Sequence, residues 1–304
     1  MTPSVRDRLA GAVWGHLVGD AIGVPYEFGP PRDATDVRWG ATGAHHQPPG
    51  TWSDDGGLML ALLDSLLSAG FDLEDQGRRA LAWYETTAYK PGSVFDVGST
   101  TMRALENLRN GTPAVIAGGA GEKDNGNGSL MRILPVAIVT PSMTVTEMVA
   151  QASAASCITH RHHRARVTCA VYCAAARRLL GGDHDLEAVL AGAFQDVRLA
   201  MAPEQEAELE RLAAFEPRTG SGYVVDTFWS AWSAFAGSDS YQATIEKAVS
   251  LGGDTDTTAC VAGGLAGLRW GLPSIPPDWL DGMRGKSIVE ALVGRLLAQW
   301  GEHA

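Results

Sequence analysis

Glycines recur at every fourth position in two apolar segments, one near each end of the chain. Residues four apart lie on one face of an α-helix, and a glycine inside a helix costs about 1 kcal/mol relative to alanine. Two such stripes therefore predict helices whose backbones approach a neighbour closely in a compact centre. The stripes are Gly11, Gly15, Gly19 and Gly23 in the first segment, and Ala259, Gly263 and Gly267 in the second.

Apolar residues at helical spacing occur along most of the chain, whereas the alternation typical of half-buried strands is scarce. Pro/Gly-rich joints at 29–31, 40–50, 110–128 and 271–277 lack the length and the change of composition of a domain linker. We expect an all-α fold in which residues 1–304 form a single domain. The predicted helices span 5–21, 56–69, 73–88, 97–109, 129–138, 145–157, 162–180, 186–200, 203–214, 224–236, 241–250, 256–270 and 287–300.

The composition is that of a globular chain with an excess of acids. Of the 304 residues 45% are hydrophobic and 19% are charged, and the formal net charge is -11. That charge disfavours broad attraction to nucleic acids or an anionic membrane, which relies on clustered Lys and Arg. The first residues lack a basic leader, and the apolar run 259–268 is shorter than the roughly 20 residues that span a bilayer. We expect a cytoplasmic monomer with no membrane partner and no general affinity for nucleic acids.

The cysteines do not indicate a disulfide framework, because four cysteines in a chain of this length are too few to stabilise the fold through disulfide bonds. Cys169 and Cys173 would share a helix face, with His160 and other histidines upstream, and a zinc site is one interpretation of this arrangement. The Cys-x-x-Cys pairs of structural zinc sites are missing, which favours free, buried thiols. The full set is Cys157, Cys169, Cys173 and Cys260.

Acidic residues gather at the starts of two predicted helices, in TWSDDGGLMLALLDSLL and LGGDTDTTACVAGG. Each acid could simply cap its helix or favour the helix dipole. If the two helix ends converge, four carboxylates would repel one another unless protons or cations compensate. Carboxylates and hydroxyls are hard oxygen ligands suited to Mg, Mn or Ca. Capping and divalent metal binding are thus the two interpretations of Ser53, Asp54, Asp55, Asp254, Asp256 and Thr257.

Two other interpretations of residues 254–258 conflict with their surroundings. DTDTT resembles the nucleophile loop of haloacid-dehalogenase-like phosphotransferases, which requires a strand-supported aspartate. The preceding EKAVSLGG is a poor buried strand, and the chain does not alternate strands with helices. An EF-hand is excluded because Ala259 and Leu265 occupy the positions of its glycine and bidentate glutamate.

A glycine-rich stretch, GGAGEKDNGNGSLMRILPVAI, leads into an apolar segment. Backbone amides of such a loop can bind phosphate where the loop opens onto a helix N-terminus. No Walker-type Gly-Lys-Ser/Thr is present, and a flexible surface loop is the alternative.

Seven stretches follow one another along nearly the whole chain: GHLVGDAIGVPYEF, WSDDGGLMLAL, FDVGSTT, NGNGSLMR, the CITHRH region, SGYVVDTFWSAW and LGGDTDTTACVAGGLAG. In this order they resemble the ADP-ribosylglycohydrolase family. The resemblance implies a compact orthogonal bundle of helices that cleaves a glycosidic bond to ADP-ribose with two Mg²⁺ or Mn²⁺ ions. The implied partner is an ADP-ribosylated protein or a small ADP-ribose conjugate.

The resemblance also implies roles for individual positions. The metal ligands would be the six acids and hydroxyls named above, Ser53, Asp54, Asp55, Asp254, Asp256 and Thr257. The catalytic candidates would be Glu27, Asp55, Asp96 and Asp256. The substrate contacts would be Glu27, Asp96, Asn127, Gly128, Ser129, His160, Gly252, Gly253 and Tyr223, the last as a cover for adenine.

Four of these assignments have ordinary structural alternatives. Glu27 could be a solvated turn acid and Asp96 a helix cap, while Tyr223 could be a core residue. His160 lies in the basic run HRHHRAR, which is typical of a solvated helix face.

The first metal motif departs from the family pattern, which commonly reads Thr-Asp-Asp-Thr where this chain has Ser53-Asp54-Asp55-Gly56. Gly56 could widen the site and change the substrate. We expect hydrolysis of an arginine linkage in preference to a serine linkage, because an acidic pocket accommodates a guanidinium. The alternatives are serine-linked, nucleic-acid-linked or small-molecule conjugates, and an ADP-ribose-binding relative without catalysis.

Overall fold

The computed structural model describes residues 3–301, and all regular secondary structure in that range is helical. Three isolated bridges join loop residues: Gly29 with Gly253, Gly119 with His160, and Gly126 with Tyr223. The predicted all-α class is confirmed. The helices are α1 (Val5–Gly23), α2 (Asp54–Ala69), α3 (Leu73–Glu85), α4 (Ser99–Arg109), α5 (Ala114–Ala117), α6 (Leu134–Ile138), α7 (Val145–Ser156), α8 (His163–Gly181), α9 (Leu186–Ala200), α10 (Glu206–Ala213), α11 (Val224–Ala236), α12 (Tyr241–Ser250), α13 (Thr255–Trp270), α14 (Pro277–Gly282) and α15 (Lys286–Gly301).

The structure shortens one predicted helix and adds two short ones. The segment 129–138 is helical only from Leu134, where Pro135 occupies the first turn, and the preceding residues 128–132 form turns. Proline fits a helix start because its missing N–H has no intrahelical partner there. Helices α5 and α14 are too short for a periodic apolar pattern, so the sequence indicated only joints.

Helices α1 and α13 pack antiparallel along the two glycine stripes. A Cβ atom added to Gly11 would lie 2.6 Å from the carbonyl oxygen of Gly267, and one added to Gly15 would lie 2.5 Å from that of Gly263. No side chain fits between backbones at this separation. The predicted close approach is therefore confirmed, and each stripe is the partner of the other.

This packing brings three helix ends together. Gly23, at the end of α1, lies against the first turn of α13, where Thr255 Oγ1 donates a hydrogen bond to its carbonyl oxygen at 2.8 Å. Asp20, one turn earlier on α1, binds the start of α2. The acidic starts of α2 and α13 consequently meet beside the C-terminal end of α1.

The buried hydrophobic residues form one cluster of contacts that extends from Leu9 to Leu296. One shared core is what a single domain requires, and the assignment of residues 1–304 to one domain stays a prediction. Between residues 3 and 301, the helices that are long enough to cross a bilayer are too polar to do so.

Candidate active site

A fully buried carboxylate on α1 positions the start of α2. The two oxygens of Asp20 accept hydrogen bonds from Ser53 N at 2.9 and 3.1 Å, and Oδ2 also accepts one from Gly56 N at 2.8 Å. Ser53 Oγ accepts from Asp55 N at 3.2 Å. These bonds satisfy N–H groups that the first turn of a helix leaves without partners. The side chains of Asp54 and Asp55 are therefore not needed as caps.

The two acidic helix starts converge on one cleft of about 380 Å³. Thr257 Oγ1 on α13 donates to Asp55 Oδ1 on α2 at 3.3 Å. Asp256 is fully buried and is not among the lining residues. One carboxylate oxygen from each of Glu27, Asp254 and Asp256 lies within 4.8 Å of the other two. The predicted catalytic and metal residues that line the cleft are Glu27, Asp54, Asp55, Asp96, Asp254 and Thr257.

Capping does not explain the acids at the start of α13 or before α4. Asp254 occupies the N-cap position of α13, yet its side chain makes no capping hydrogen bond. Its Oδ2 instead accepts from Asn127 Nδ2 at 2.8 Å. Asp96 precedes α4 but the N-cap is Gly98, and Asp96 has a left-handed backbone with a φ of 57°. Both carboxylates are therefore available to the cleft.

Burial and crowding raise the pKa values of five carboxyl groups in and beside the cleft. Burial, followed by the charges of Asp96, Asp254 and Asp54, raises the pKa of Glu27 to about 10. Burial and then Asp254 raise the pKa of Asp96 to about 6. Burial is also the main reason that the pKa values of Asp54, Asp55 and Asp256 lie well above the ordinary range. The cluster needs protons or cations to offset its charge.

The donor set fits a divalent cation. Asp254 Oδ1 and Asp256 Oδ2 are buried without a hydrogen-bond partner among the described residues. A buried carboxylate oxygen that lacks a donor is costly, and hard oxygen donors are the ligands of Mg²⁺ and Mn²⁺. These two oxygens, with Glu27 close by, are the strongest indication in the structure of where a metal ion would bind.

Three predicted substrate residues also line the cleft, namely Asn127, Gly128 and His160. Gly128 packs against the imidazole of His160, since a Cβ there would lie 2.7 Å from Cε1. Burial lowers the pKa of His160 to about 3, so its ring is neutral and is not part of a solvated basic face. Ser129 lies deeper, where its hydroxyl accepts a hydrogen bond from Ser156 Oγ at 2.9 Å.

The remaining predicted substrate residues lie beside the cleft rather than on its wall. Gly252 and Gly253 have left-handed backbones, with φ values of 72° and 70°, and Gly253 N donates to Gly29 O at 2.9 Å. The ring of Tyr223 packs edge-on against Phe215 with centroids 5.7 Å apart. The adenine contact of Tyr223 and the substrate contacts of the two glycines stay predictions.

Gly56 does not widen the cleft, contrary to the expectation from the sequence. A Cβ at this position would lie 2.6 Å from Leu17 Cδ2 and 2.9 Å from Trp52 Cδ1. The space that a side chain would need is filled by these two apolar residues, away from the cleft. Gly56 therefore allows Leu17 and Trp52 to pack closely against α2. Any effect of Gly56 on substrate choice does not come from a larger cleft.

The sequence did not reveal three residues that contribute to the site. Asp20 was hidden in an apolar helix, although an acid among buried positions was a usable signal. His45 Nε2 contacts Glu27 Oε2 and lies 3.8 Å from Asp96 Oδ1. Phe28 lines the cleft next to Glu27. Both His45 and Phe28 belong to segments without periodicity, which leave their positions undetermined.

The four cysteines are free and buried, as predicted. Cys260 borders the acidic cluster, with Sγ 3.2 Å from Asp55 Oδ2. Cys169 Sγ lies 3.4 Å from Ser129 Oγ.

Comparison with known proteins shows that this all-α chain, with its carboxylate-lined cleft, is an enzyme of the glycosidic hydrolase class. The chain belongs to the ADP-ribosylglycohydrolase family, whose sequence profile matches residues 1–304. The ADP-ribosylarginine hydrolase Tri1 of Pseudomonas putida is 33% identical over 97% of this chain and 80% of its own length. The ADP-ribosyl-dinitrogen reductase glycohydrolase of Rhodospirillum rubrum is 32% identical over 98% of both chains.

A solved structure supports the same assignment. The protein described as an ADP-ribosylglycohydrolase-related protein complex superimposes with a TM-score of 0.80 and 33% identity, covering 97% of this chain and 98% of that one. Human ADP-ribosylhydrolase ARH3 is more distant, with 26% identity over 95% of this chain. The predicted family and the predicted enzyme class are thus confirmed.

Proposed function

We propose that this protein releases ADP-ribose from ADP-ribosylated arginine side chains with two Mg²⁺ or Mn²⁺ ions. The observation that carries the proposal is the pair of unpartnered buried oxygens on Asp254 and Asp256, in a cleft lined by further carboxylates. The arginine linkage is supported by the similarity to an ADP-ribosylarginine hydrolase and by the acidic walls, which suit a guanidinium.

The proposed ligands are Ser53, Asp54, Asp55, Asp254, Asp256 and Thr257. Divalent ions bound there would supply positive charge that offsets the carboxylates and the charge developing in the transition state. Asn127 and Gly128, which line the same cleft, would orient the phosphates or ribose. Asn127 is itself fixed by Asp254 Oδ2 and Thr227 Oγ1, to which its Nδ2 donates at 2.8 and 3.1 Å.

Proton transfer would fall to the carboxyl groups near the breaking bond. Glu27, which lines the cleft beside Asp96, is the candidate for donating a proton to the leaving group. Asp55 and Asp256 are the further candidates for accepting the proton of the attacking water. Asp96 stands beside Glu27 on the wall and would contact the substrate. Cytoplasmic location and a monomeric state remain predictions.

Parallel assays would test the proposal. Purified protein is incubated with arginine-, serine- and nucleic-acid-linked ADP-ribose and with O-acetyl-ADP-ribose, with Mg²⁺, Mn²⁺ or a chelator, and released product is measured. We expect release from the arginine linkage that stops on chelation. Activity confined to another linkage would overturn the arginine assignment, and binding of ADP-ribose without turnover would identify a non-catalytic relative. Turnover in the chelator would overturn the metal requirement.

A further inference from the structure

Phe28 combines two features that are unfavourable in an isolated protein. Its side chain is 71% exposed, and its backbone has a φ of 60°. Single exposed apolar residues are common, but a bulky residue in the left-handed region is a genuine outlier. Backbone strain of this kind persists where the surrounding structure imposes it, and it concentrates at ligand sites.

Backbone hydrogen bonds impose the conformation of Phe28. Its N–H donates to the carbonyl oxygen of Gly253 at 2.7 Å, and Gly253 N donates back to Gly29 O at 2.9 Å. Gly29 N closes the turn by donating to Tyr26 O at 3.1 Å. The turn is thus attached to the loop that carries Asp254, and this attachment fixes the ring at the cleft.

The surroundings of the ring indicate what it binds. Phe28 lines the cleft together with Glu27 and Asp96. The imidazole of His45 packs at an angle against both phenyl rings, with centroids 5.7 Å from Phe28 and 5.2 Å from Phe95. The rest of the Phe28 ring faces solvent beside two carboxyl groups.

An exposed aromatic ring next to carboxyl groups matches a flat cation. A guanidinium stacks on an aromatic face through cation–π attraction, and its N–H groups donate to carboxylates in the plane.

We propose that the Phe28 ring is the platform on which the guanidinium of the target arginine stacks while its bond to ribose is cleaved. This inference rests on the proposed hydrolysis of arginine linkages. It assigns Phe28 to recognition of the leaving group rather than of ADP-ribose. Free ADP-ribose lacks the arginine leaving group. Its affinity should therefore not depend on Phe28, and it serves as the probe for binding of the ADP-ribose part alone.

The test compares Phe28→Ala and Phe28→Tyr with the wild type. We expect Phe28→Ala to lower kcat/KM for arginine-linked ADP-ribose about tenfold, while the Kd for free ADP-ribose, measured calorimetrically with Mg²⁺, stays unchanged. Phe28→Tyr retains the aromatic face and should keep most of the activity. Leu199→Ala, which truncates a side chain that is 76% exposed on α9, is the control and should change neither quantity.

A second variant separates recognition from folding. Phe28→Gly removes the strain of the left-handed backbone, so its Tm should not fall, while its kcat/KM should drop as in Phe28→Ala. A wild-type kcat/KM in Phe28→Ala would overturn the proposal. An equal weakening of free ADP-ribose binding would also overturn it and would place adenine or ribose on the ring.

Assays of the wild type alone test the proposed function on which this inference rests. If the wild type cleaves only non-arginine linkages, both the proposed function and the guanidinium platform are wrong. If the wild type cleaves the arginine linkage and Phe28→Ala does so equally well, only the platform is wrong.

Discussion

Asp20 Oδ2 accepts a hydrogen bond from the backbone N–H of Gly56 at 2.8 Å, and this bond joins α1 to the first turn of α2. The carboxylate is fully buried. It thereby fixes the helix start that carries Asp54 and Asp55, although it does not itself line the cleft.

Removing this acceptor should destabilise the protein. Asp20→Ala leaves the N–H groups of Ser53 and Gly56 without their partner, and an unsatisfied buried donor costs about 1–3 kcal/mol. Asp20→Asn keeps one acceptor oxygen and should lose less. Urea unfolding of both variants in chelator measures the difference, and equal losses would show that the hydrogen bonds do not hold α2.

The glycines of the two stripes should not tolerate substitution by alanine. In Gly15→Ala the new Cβ would lie 2.5 Å from Gly263 O and 2.9 Å from Tyr241 Cε2, so we expect a loss of about 3 kcal/mol. Gly294 is an exposed glycine in the middle of α15 with open space around it. Gly294→Ala should raise the free energy of unfolding by up to about 1 kcal/mol. Thermal unfolding of both variants gives the comparison, and a neutral Gly15→Ala would contradict the close packing.

Replacing a proposed metal ligand should weaken metal binding without destabilising the metal-free fold. In chelator, Asp256→Asn should unfold at a Tm no lower than that of the wild type, because it removes a charge from a crowded cluster. The Tm of this variant should respond little to added Mg²⁺ or Mn²⁺, whereas the same metals should raise the Tm of the wild type. Asp64→Asn removes a carboxylate paired with Arg79 and Arg295 and is the control. A full metal response in Asp256→Asn would refute its role as a ligand.

The buried imidazole of His16 should make stability depend on pH. Neither ring nitrogen has a hydrogen-bond partner among the described residues, and burial lowers the pKa of His16 to about 3. Between pH 6.5 and 4 the unfolded chain binds a proton that the folded protein does not, so stability falls as the pH falls.

Replacing His16 with methionine should remove this dependence. Relative to His16→Met, the wild type should lose up to about 1.4 kcal/mol per pH unit below pH 6.5. Chemical unfolding at pH 7, 6, 5 and 4 measures the slope, with His184→Met at an exposed position as the control. Parallel curves for the wild type and His16→Met would show that His16 does not stay neutral in the folded protein.

The sequence predicted the features that depend on periodic patterns. The spacing of Gly11 and Gly15 indicated a close helix contact because four-residue spacing is local information. It did not identify α13 as the partner of α1, because pairing depends on the arrangement of the whole chain. The sequence alone likewise does not predict that Asp55 and Thr257 meet. Their hydrogen bond depends on the packing of α13 against α1.

Residues in irregular segments escaped prediction for a different reason. His45 lies in the joint 40–50, and Phe28 lies in a turn whose φ of 60° is set by bonds to Gly253. Side-chain type alone does not place such residues. The sequence places Gly56 beside the proposed metal ligands and so suggests a role in the cleft, whereas its neighbours in space are Leu17 and Trp52.

The pairing of α1 with α13 also has a consequence for biosynthesis. Gly23 and Thr255, which bond across this pair, are 232 residues apart, and a ribosome needs about 10–50 s to translate that interval. For most of that time the nascent chain carries Asp54 and Asp55 but lacks Asp254 and Asp256. Any polypeptide released early is therefore incapable of assembling the cleft, and turnover is confined to molecules whose translation has passed α13.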